Sequence, residues 1–483
     1  MKFNAKEYFK LSIIYTLVGA FPPVLQILVQ PIIEGKNKLG AVEFSKMSIA
    51  ESITSLVFVL AMFAMGNAIS RFYYDYRDSK EKYNRLISTV FNSILLRGIL
   101  IFGLALLFGN YIGEIFHQKD LQDFSSYGYA SIVIGINRAI NITAASLYRN
   151  EKRVMTFVIL NVVLGILRSA FQIIGVFYFD MSFKGYVYGA AIGTSFTSVA
   201  IIIYTYYKSG IRLDLKILKE INSFARPLFQ YGIISWGILF ADRYFLEATP
   251  VDLGIYDMAL KFTLGIQMVI QGLQGAVQPE VFRLMSEGIE KSQENIKKYV
   301  NLFLAQTQLI IALLIIPVII YIDLSFDSKI KLSSLLITIL FTKYILRTQY
   351  NAFSFLVYYL KKTKFFFYVN AVVLIINLTL NYFLVPLFHA YGAITAAFVS
   401  EFILLITIFL YQRKLSKIKW NLNKTLFFPI SIVIIAIIIE ILKNIFDINN
   451  YICSGFIVLY ILSSLTFLYK TELTKIINKL TSR

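Results

Sequence analysis

The stretch ADRYFLEATPVDLGIYDMALKF, Ala241 to Phe262, lies at the middle of a 483-residue chain. An apolar run, Tyr231 to Phe240, enters it, and another, Phe262 to Val277, leaves it. Between them sit a polar turn, TPVDLG, and four charges close to or inside apolar helix: Asp242, Arg243, Asp257 and Lys261. An ionisable side chain at membrane depth is costly, so it faces a bundle interior or a water-filled path. The stretch therefore reads as the joint between two similar helical lobes with a polar cavity between them.

Working outward, apolar runs of bilayer length recur along the whole chain. Hydrophobic residues are 57% and charged residues 16%, a balance that points to an all-α polytopic membrane protein. A barrel is excluded because the segments are continuous runs without alternation. The formal charge of +19 invites a nucleic-acid partner, but basic loops on one membrane face account for it, and no nucleic acid is expected. One cysteine, Cys453, rules out an internal disulfide, and two histidines beside it leave no metal constellation; no cofactor is expected. The start mimics a signal peptide ending near Ala20. Its apolar run resumes after Pro22-Pro23 and reaches Ile33, which favours a retained, kinked first helix.

Fourteen spans are predicted, at 8–33, 46–70, 86–113, 125–147, 154–179, 185–207, 226–246, 255–283, 299–322, 332–358, 365–387, 391–412, 425–443 and 451–469. Lysine and arginine split 32 to 8 between alternate faces, with both termini on the basic side, which predicts cytoplasmic termini. The connection KSGIRLDLKILKEINSFA carries apolar residues at helical spacing (Leu213, Ile217, Leu218, Ile221) and reads as an interfacial amphipathic linker over 208–225. An internal repeat matches KLGAVEFSKM to DLGIYDMALK, offset 214, and the YGA triplets of spans six and twelve, offset 203. The expected organisation is an N-terminal lobe at 1–207, a linker at 208–225, a C-terminal lobe at 226–412 and two further helices within 413–483. That makes two pseudo-symmetric six-helix lobes plus two C-terminal helices.

Seven basic residues fall within spans: Arg97, Arg138, Arg168, Arg243, Lys261, Lys343 and Arg347. Arg97, Arg168, Lys343 and Arg347 lie too deep to snorkel easily. Lys343 and Arg347, four apart, share a helix face and repel each other. Four internal acids are ranged against the seven bases: Asp242, Asp257, Glu401 and Glu440. Asp257 and Lys261, at i,i+4, neutralise each other locally. The remaining excess suits an anionic substrate, and the guanidinium fork matches phosphate oxygens. Asp242, Arg243, Asp257 and Lys261 are assigned to an outer gate, and Glu401 and Glu440 to ion or proton coupling. No GxxxxGK[ST], GxSxG or HExxH occurs, and no outer loop has room for a catalytic domain.

The chain resembles the multidrug/oligosaccharidyl-lipid/polysaccharide flippases, nearest the polysaccharide-transporter branch that includes the O-antigen flippases. The carrying residues are DRYFLEATPVDLGIYDMALKF, GAVQPEVFR (Gly275 to Arg283), NAISRFYYDYRD (Asn67 to Asp78) and LNYFLVPLFHAYGAITAAFVSE (Leu380 to Glu401). The resemblance implies a two-lobed, V-shaped transporter working by alternating access without ATP. Its cargo would be an isoprenyl (undecaprenyl) pyrophosphate-linked oligosaccharide, moved from the inner to the outer leaflet of a bacterial cytoplasmic membrane. By position, Arg97, Arg138, Arg168, Lys343 and Arg347 match the basic cavity of such proteins. The last two spans would help shape a groove for the lipid tail. Expected partners are the lipid-linked oligosaccharide, membrane lipids, and the polymerase and glycosyltransferases of the same pathway. Two alternatives stay open: a cation-coupled multidrug exporter of the same superfamily, and a membrane-embedded polysaccharide polymerase or ligase.

Overall fold

The computed structural model describes residues 5–35, 38–416 and 418–469, and helices fill most of them. In chain order they are α1 (Ala5–Ile33), α2 (Ala41–Met62), α3 (Met65–Tyr76), α4 (Lys80–Gly113), the short α5 (Lys119–Gln122), α6 (Gly128–Asn150), α7 (Val154–Phe177) and α8 (Ser182–Ser209). There follow α9 (Leu215–Leu246), α10 (Pro250–Ser286), α11 (Gln293–Ser325), α12 (Ser334–Tyr359), α13 (Lys364–Leu415), α14 (Phe428–Phe446) and α15 (Asn450–Leu468).

Ten helices among the described residues are long and apolar enough to cross a membrane, with α2 and α3 together forming one of them. The fourteen predicted spans are recovered when α1, α9 and α12 are added and α13 is divided. Helices α9 and α12 rank lower by composition because they carry Asp242–Arg243 and Lys343–Arg347 in otherwise apolar helix. The break in α13 falls at His389, with φ 50° and ψ −128°, inside the turn expected between spans eleven and twelve.

The chain divides into two compact units, Met1–Gly254 and Ile255–Arg483. In the first unit α7 packs along α8 and α1, α6 lies against α2 and α8, and α9 packs on α2, α3 and α4. The α7–α8 contact is a backbone contact. Gly185, Gly189 and Gly193 recur every fourth residue of α8, and a Cβ there would meet Gly175 O at 2.2 Å, Phe171 O at 2.1 Å and Leu167 O at 2.6 Å. Small residues at this spacing let two spans approach without side chains between them. In the second unit α12 packs on α11, α13 and α14, and α15 packs on α11 and α14.

The segment 208–225 leads straight into α9: Asp214 caps Lys216 N (2.9 Å) and Ile217 N (3.2 Å), and α9 then runs unbroken through Pro227 to Leu246. Ile217, Ile221 and Ala225 are buried in the core of the first unit, Leu218 packs partly against it, and Leu213 and Leu215 are exposed. The compact division accordingly places α9 with the helices before it, where the sequence suggested a second lobe beginning at 226.

The second span is not one straight helix. Phe63 (φ 46°) and Ala64 (φ 57°) both adopt the left-handed conformation between α2 and α3. For non-glycine residues this costs about 1–2 kcal/mol each, and it persists only where the surroundings impose it. Here the Phe63 ring is stacked on Phe229 of α9 at 4.2 Å and covered by the Arg97 guanidinium at 4.6 Å.

Candidate functional site

The first unit gathers three residues that are distant in sequence. Glu51 stands on α2, Arg138 on α6 and Arg168 on α7. Arg138 Nη1 donates to Glu51 Oε1 at 3.0 Å and to Ser55 Oγ at 3.2 Å. Arg168 Nη2 donates to Glu51 Oε2 at 3.5 Å. One carboxylate thus bridges two guanidiniums, one oxygen to each, and the cluster keeps a net positive charge. It is open on one side, since the Glu51 and Arg138 side chains are 39% and 40% exposed. Arg168 is more enclosed, and its Nε–H is buried without a hydrogen-bond partner among the described residues. One turn along α7, Gln172 is fully buried with neither amide atom partnered among the described residues. A buried polar atom left unpaired costs about 1–3 kcal/mol, so these groups hold unused capacity for a polar ligand.

Local packing sets this geometry. Asn137 Nδ2 donates to Thr194 (3.2 Å) and Ser195 (2.9 Å), and Asn141 Nδ2 donates to Ser198 at 2.8 Å, which bolts one face of α6 to α8. Arg138, one residue on from Asn137, is turned about 100° from that face and reaches α2, where it also covers the Phe58 ring at 5.0 Å. Arg168 is held from behind, because the position of a Cβ on Gly193 lies only 2.7 Å from the Arg168 Cα.

The second unit repeats the composition with different helices. Arg347 Nη1 on α12 donates to Glu401 Oε1 on α13 at 3.5 Å, and the Arg347 guanidinium covers the Tyr350 ring at 5.1 Å. Glu401 is 15% exposed, and its other oxygen is buried without a partner among the described residues. Lys343, one turn before Arg347, has its Nζ 5.5 Å from the Tyr344 ring, and among the described residues no carboxylate lies within 4.0 Å of it. Two cations again accompany one carboxylate.

Arg97 is placed elsewhere. It donates to Asn222 Oδ1 at 3.0 Å and to the Ala61 carbonyl and Ser93 Oγ at 3.5 Å, so it serves the break between α2 and α3. Ala61 is ten residues beyond Glu51 on α2, about 15 Å along the helix. Of the four residues of the central stretch, Asp242 and Arg243 lie on α9 in the first unit and Asp257 and Lys261 on α10 in the second. Arg243 donates to Asp242 (3.2 Å), the Leu239 carbonyl (2.6 Å) and Ser48 Oγ on α2 (3.1 Å). Asp257 and Lys261 form their i,i+4 pair at 3.3 Å. Glu440 is held by Lys443 at 2.7 Å and by the Tyr391 hydroxyl at 2.9 Å.

Two acids escaped the sequence inventory. Glu51 lay only five residues inside the predicted edge of span two, whereas α2 begins at Ala41 and carries Glu51 ten residues along the helix, half-exposed. Glu247 lay one residue past the predicted end of span seven. It is 1% exposed and accepts from His117 N and Gln118 N, each at 2.8 Å, with the His117 ring Nδ1 at 3.0 Å. An acid within about a turn and a half of a predicted span edge was the available signal in both cases.

A family model described as polysaccharide biosynthesis protein matches residues 77–343. Among solved structures, the lipid II flippase MurJ in an inward closed conformation aligns at TM-score 0.67 and 14% identity, over 96% of this chain and 100% of that one. A multidrug resistance MATE family transporter of the MOP superfamily, inward-facing, aligns at 0.66 and 15% identity, over 83% and 97%. A MOP superfamily transporter from Pyrococcus furiosus, described as having a binding pocket of reverse polarity that suggests a different function, aligns at 0.59 and 16%, over 84% and 94%. At these identities the likenesses show the fold. No curated protein matches the sequence.

Proposed function

The chain belongs to the polysaccharide biosynthesis protein family, and we propose that it is a flippase for an isoprenyl pyrophosphate-linked oligosaccharide, carrying it from the inner to the outer leaflet of a bacterial cytoplasmic membrane. It is a multi-pass membrane protein with the fold of the MOP superfamily transporters. The single observation that carries the finer reading is that both units hold cations in excess of carboxylates inside apolar helix bundles. A pyrophosphate needs cations that are not already neutralised, held where water does not outcompete them. Two guanidiniums over Glu51, and Arg347 on Glu401 with Lys343 one turn before it, are the groups that support this reading. We therefore assign Arg138, Arg168, Lys343 and Arg347 to the pyrophosphate or an anionic sugar, and Arg97 to the wall that positions α2. The isoprenyl tail stays in lipid, so only the polar head crosses.

Glu401, with one oxygen unpartnered among the described residues, is assigned to coupling in preference to Glu440, which Lys443 and Tyr391 already occupy. Asp242, Arg243, Asp257 and Lys261 are assigned to an outer gate. The lysine and arginine split supports cytoplasmic termini. A cationic drug would be repelled by the same excess, which disfavours the exporter alternative.

The test is translocation of a fluorescent isoprenyl-pyrophosphate oligosaccharide in proteoliposomes. Wild type is expected to expose the label. Arg168→Gln and Arg347→Gln remove charge-assisted hydrogen bonds of about 1.5–3 kcal/mol, which slows translocation about tenfold or more. No translocation by wild type would sink the flippase reading. Wild-type rates in both variants would sink the role of the two clusters.

A further inference from the structure

A cavity of about 350 Å³ lies in the first unit away from Glu51, at the end where the second, fourth and sixth connections gather. Its walls come from the start of α4, the end of α6 with the loop after it, and the end of α8. The charged residues facing it are Lys80, Arg153, Lys208 and Glu151, three cations against one carboxylate. By the lysine and arginine count this is the cytoplasmic face.

The cavity is built and not merely lined by loose surface charges. The Arg153 guanidinium lies between two rings, Tyr148 at 5.0 Å and Tyr204 at 5.4 Å, with Glu151 Oε2 at 3.3 Å from it. Glu151 also takes the Tyr83 hydroxyl through its other oxygen, so both carboxylate oxygens are engaged. Lys208 covers the far side of the same pocket, with its Nζ 4.9 Å from the Tyr204 ring. Among the described residues no carboxylate lies within 4.0 Å of Lys208 or Lys80. A cation in the last turn of α8 favours that helix dipole, which accounts for Lys208, whereas Arg153 stands at the start of α7, where the dipole gives it no such reason. Nor does the dipole account for an open cavity on which Lys80, from the positive end of α4, also converges. A volume of this size matches a small-molecule site, and a guanidinium and an ammonium both gathered at Tyr204, with Lys80 on the same cavity, match the oxygens of a phosphate.

We infer that this cavity binds a phosphate-bearing anion, independently of the cargo proposed for the Glu51 and Glu401 clusters. The chemistry is shared by an anionic lipid headgroup and a soluble phosphate, and the experiment separates them. The full chain, purified in a zwitterionic detergent, is titrated with short-chain phosphatidylglycerol, with short-chain phosphatidylcholine and with inorganic pyrophosphate, and bound ligand is counted by native mass spectrometry. Saturable retention of phosphatidylglycerol alone assigns a lipid headgroup; retention of pyrophosphate as well assigns a soluble ligand. Lys80→Gln/Lys208→Gln, at two exposed positions that leave the core intact, is expected to weaken retention about tenfold, the loss of two charge-assisted contacts at a partly exposed site. Lys82→Gln, exposed at the same end but outside the cavity, is expected to retain ligand like wild type. Absence of saturable binding of either anion, equal binding of phosphatidylcholine, or undiminished binding in the double variant would overturn the inference.

Discussion

Glu51 shows how much one acid decides. With it, Arg138 and Arg168 are held 3.0 and 3.5 Å from a common carboxylate; without it, two guanidiniums would face each other unscreened. Glu51→Gln is therefore expected to lower the melting temperature more than loss of either arginine, because it leaves two neighbouring cations, Arg138 half-exposed and Arg168 more enclosed, without their shared carboxylate. A different residue gives a pH signature. Asp120, on α5 outside the membrane spans, has its carboxyl held below the usual range by the hydrogen bond from Lys46, against an opposing push from partial burial. A carboxyl depressed in the folded state stabilises above its unfolded pKa, about 3.9, and that contribution fades as pH falls through the lower folded value. Melting temperatures of wild type and Asp120→Asn should accordingly differ at pH 6, with the difference starting to shrink only below about pH 4. A difference that does not shrink at all between pH 4 and the lowest pH at which the protein stays folded would place the contribution elsewhere. The deep arginines were legible from sequence because hydrophobic flanks make them conspicuous. Glu51 was not, since its depth depends on where a helix begins, and the apolar pattern blurs that edge by several residues.

At the scale of elements, the α7–α8 hairpin and the α2–α3 break carry the site in opposite ways. The hairpin is fixed: Gly189 sits where a Cβ would lie 2.1 Å from a carbonyl oxygen of α7. Gly189→Leu should destabilise the protein by about 1–3 kcal/mol or more, the range for overpacking, read as a lower melting temperature in detergent. Gly103→Leu on α4, where a Cβ meets nothing within 4 Å, is the matched control and should melt like wild type. The glycine spacing was present in the sequence but was masked by its role in the YGA repeat. The break at Phe63–Ala64 had no sequence signal, because neither residue favours the left-handed region. It is imposed by tertiary contacts with Phe229 and Arg97, which local patterns do not contain. The start of α9 was open to two readings for a related reason. An amphipathic face looks the same whether lipid or protein covers it.

For the whole molecule, the all-helical, fourteen-span architecture was readable because bilayer thickness dictates span length and charge asymmetry dictates order. The way those spans partition was less readable, since α9 joins the helices before it by side-chain contacts such as Trp236 Nε1 to the Ser52 carbonyl at 3.0 Å. The predicted orientation has its own check. In a chain with Cys453→Ser, a cysteine at exposed Lys82 should react with an impermeant thiol reagent only after membranes are opened, and one at exposed Asp180 should react in intact cells. The reverse pattern would invert the topology. The glycine contact between α7 and α8 also bears on how such a protein changes over evolutionary time. Gly175 and Gly185 each occupy the space a Cβ on the other would need, so neither can be replaced alone without parting the helices. Side chains on the open faces are therefore free to change one at a time, whereas the backbone seam behind Arg168 admits no single added Cβ without the helices moving apart.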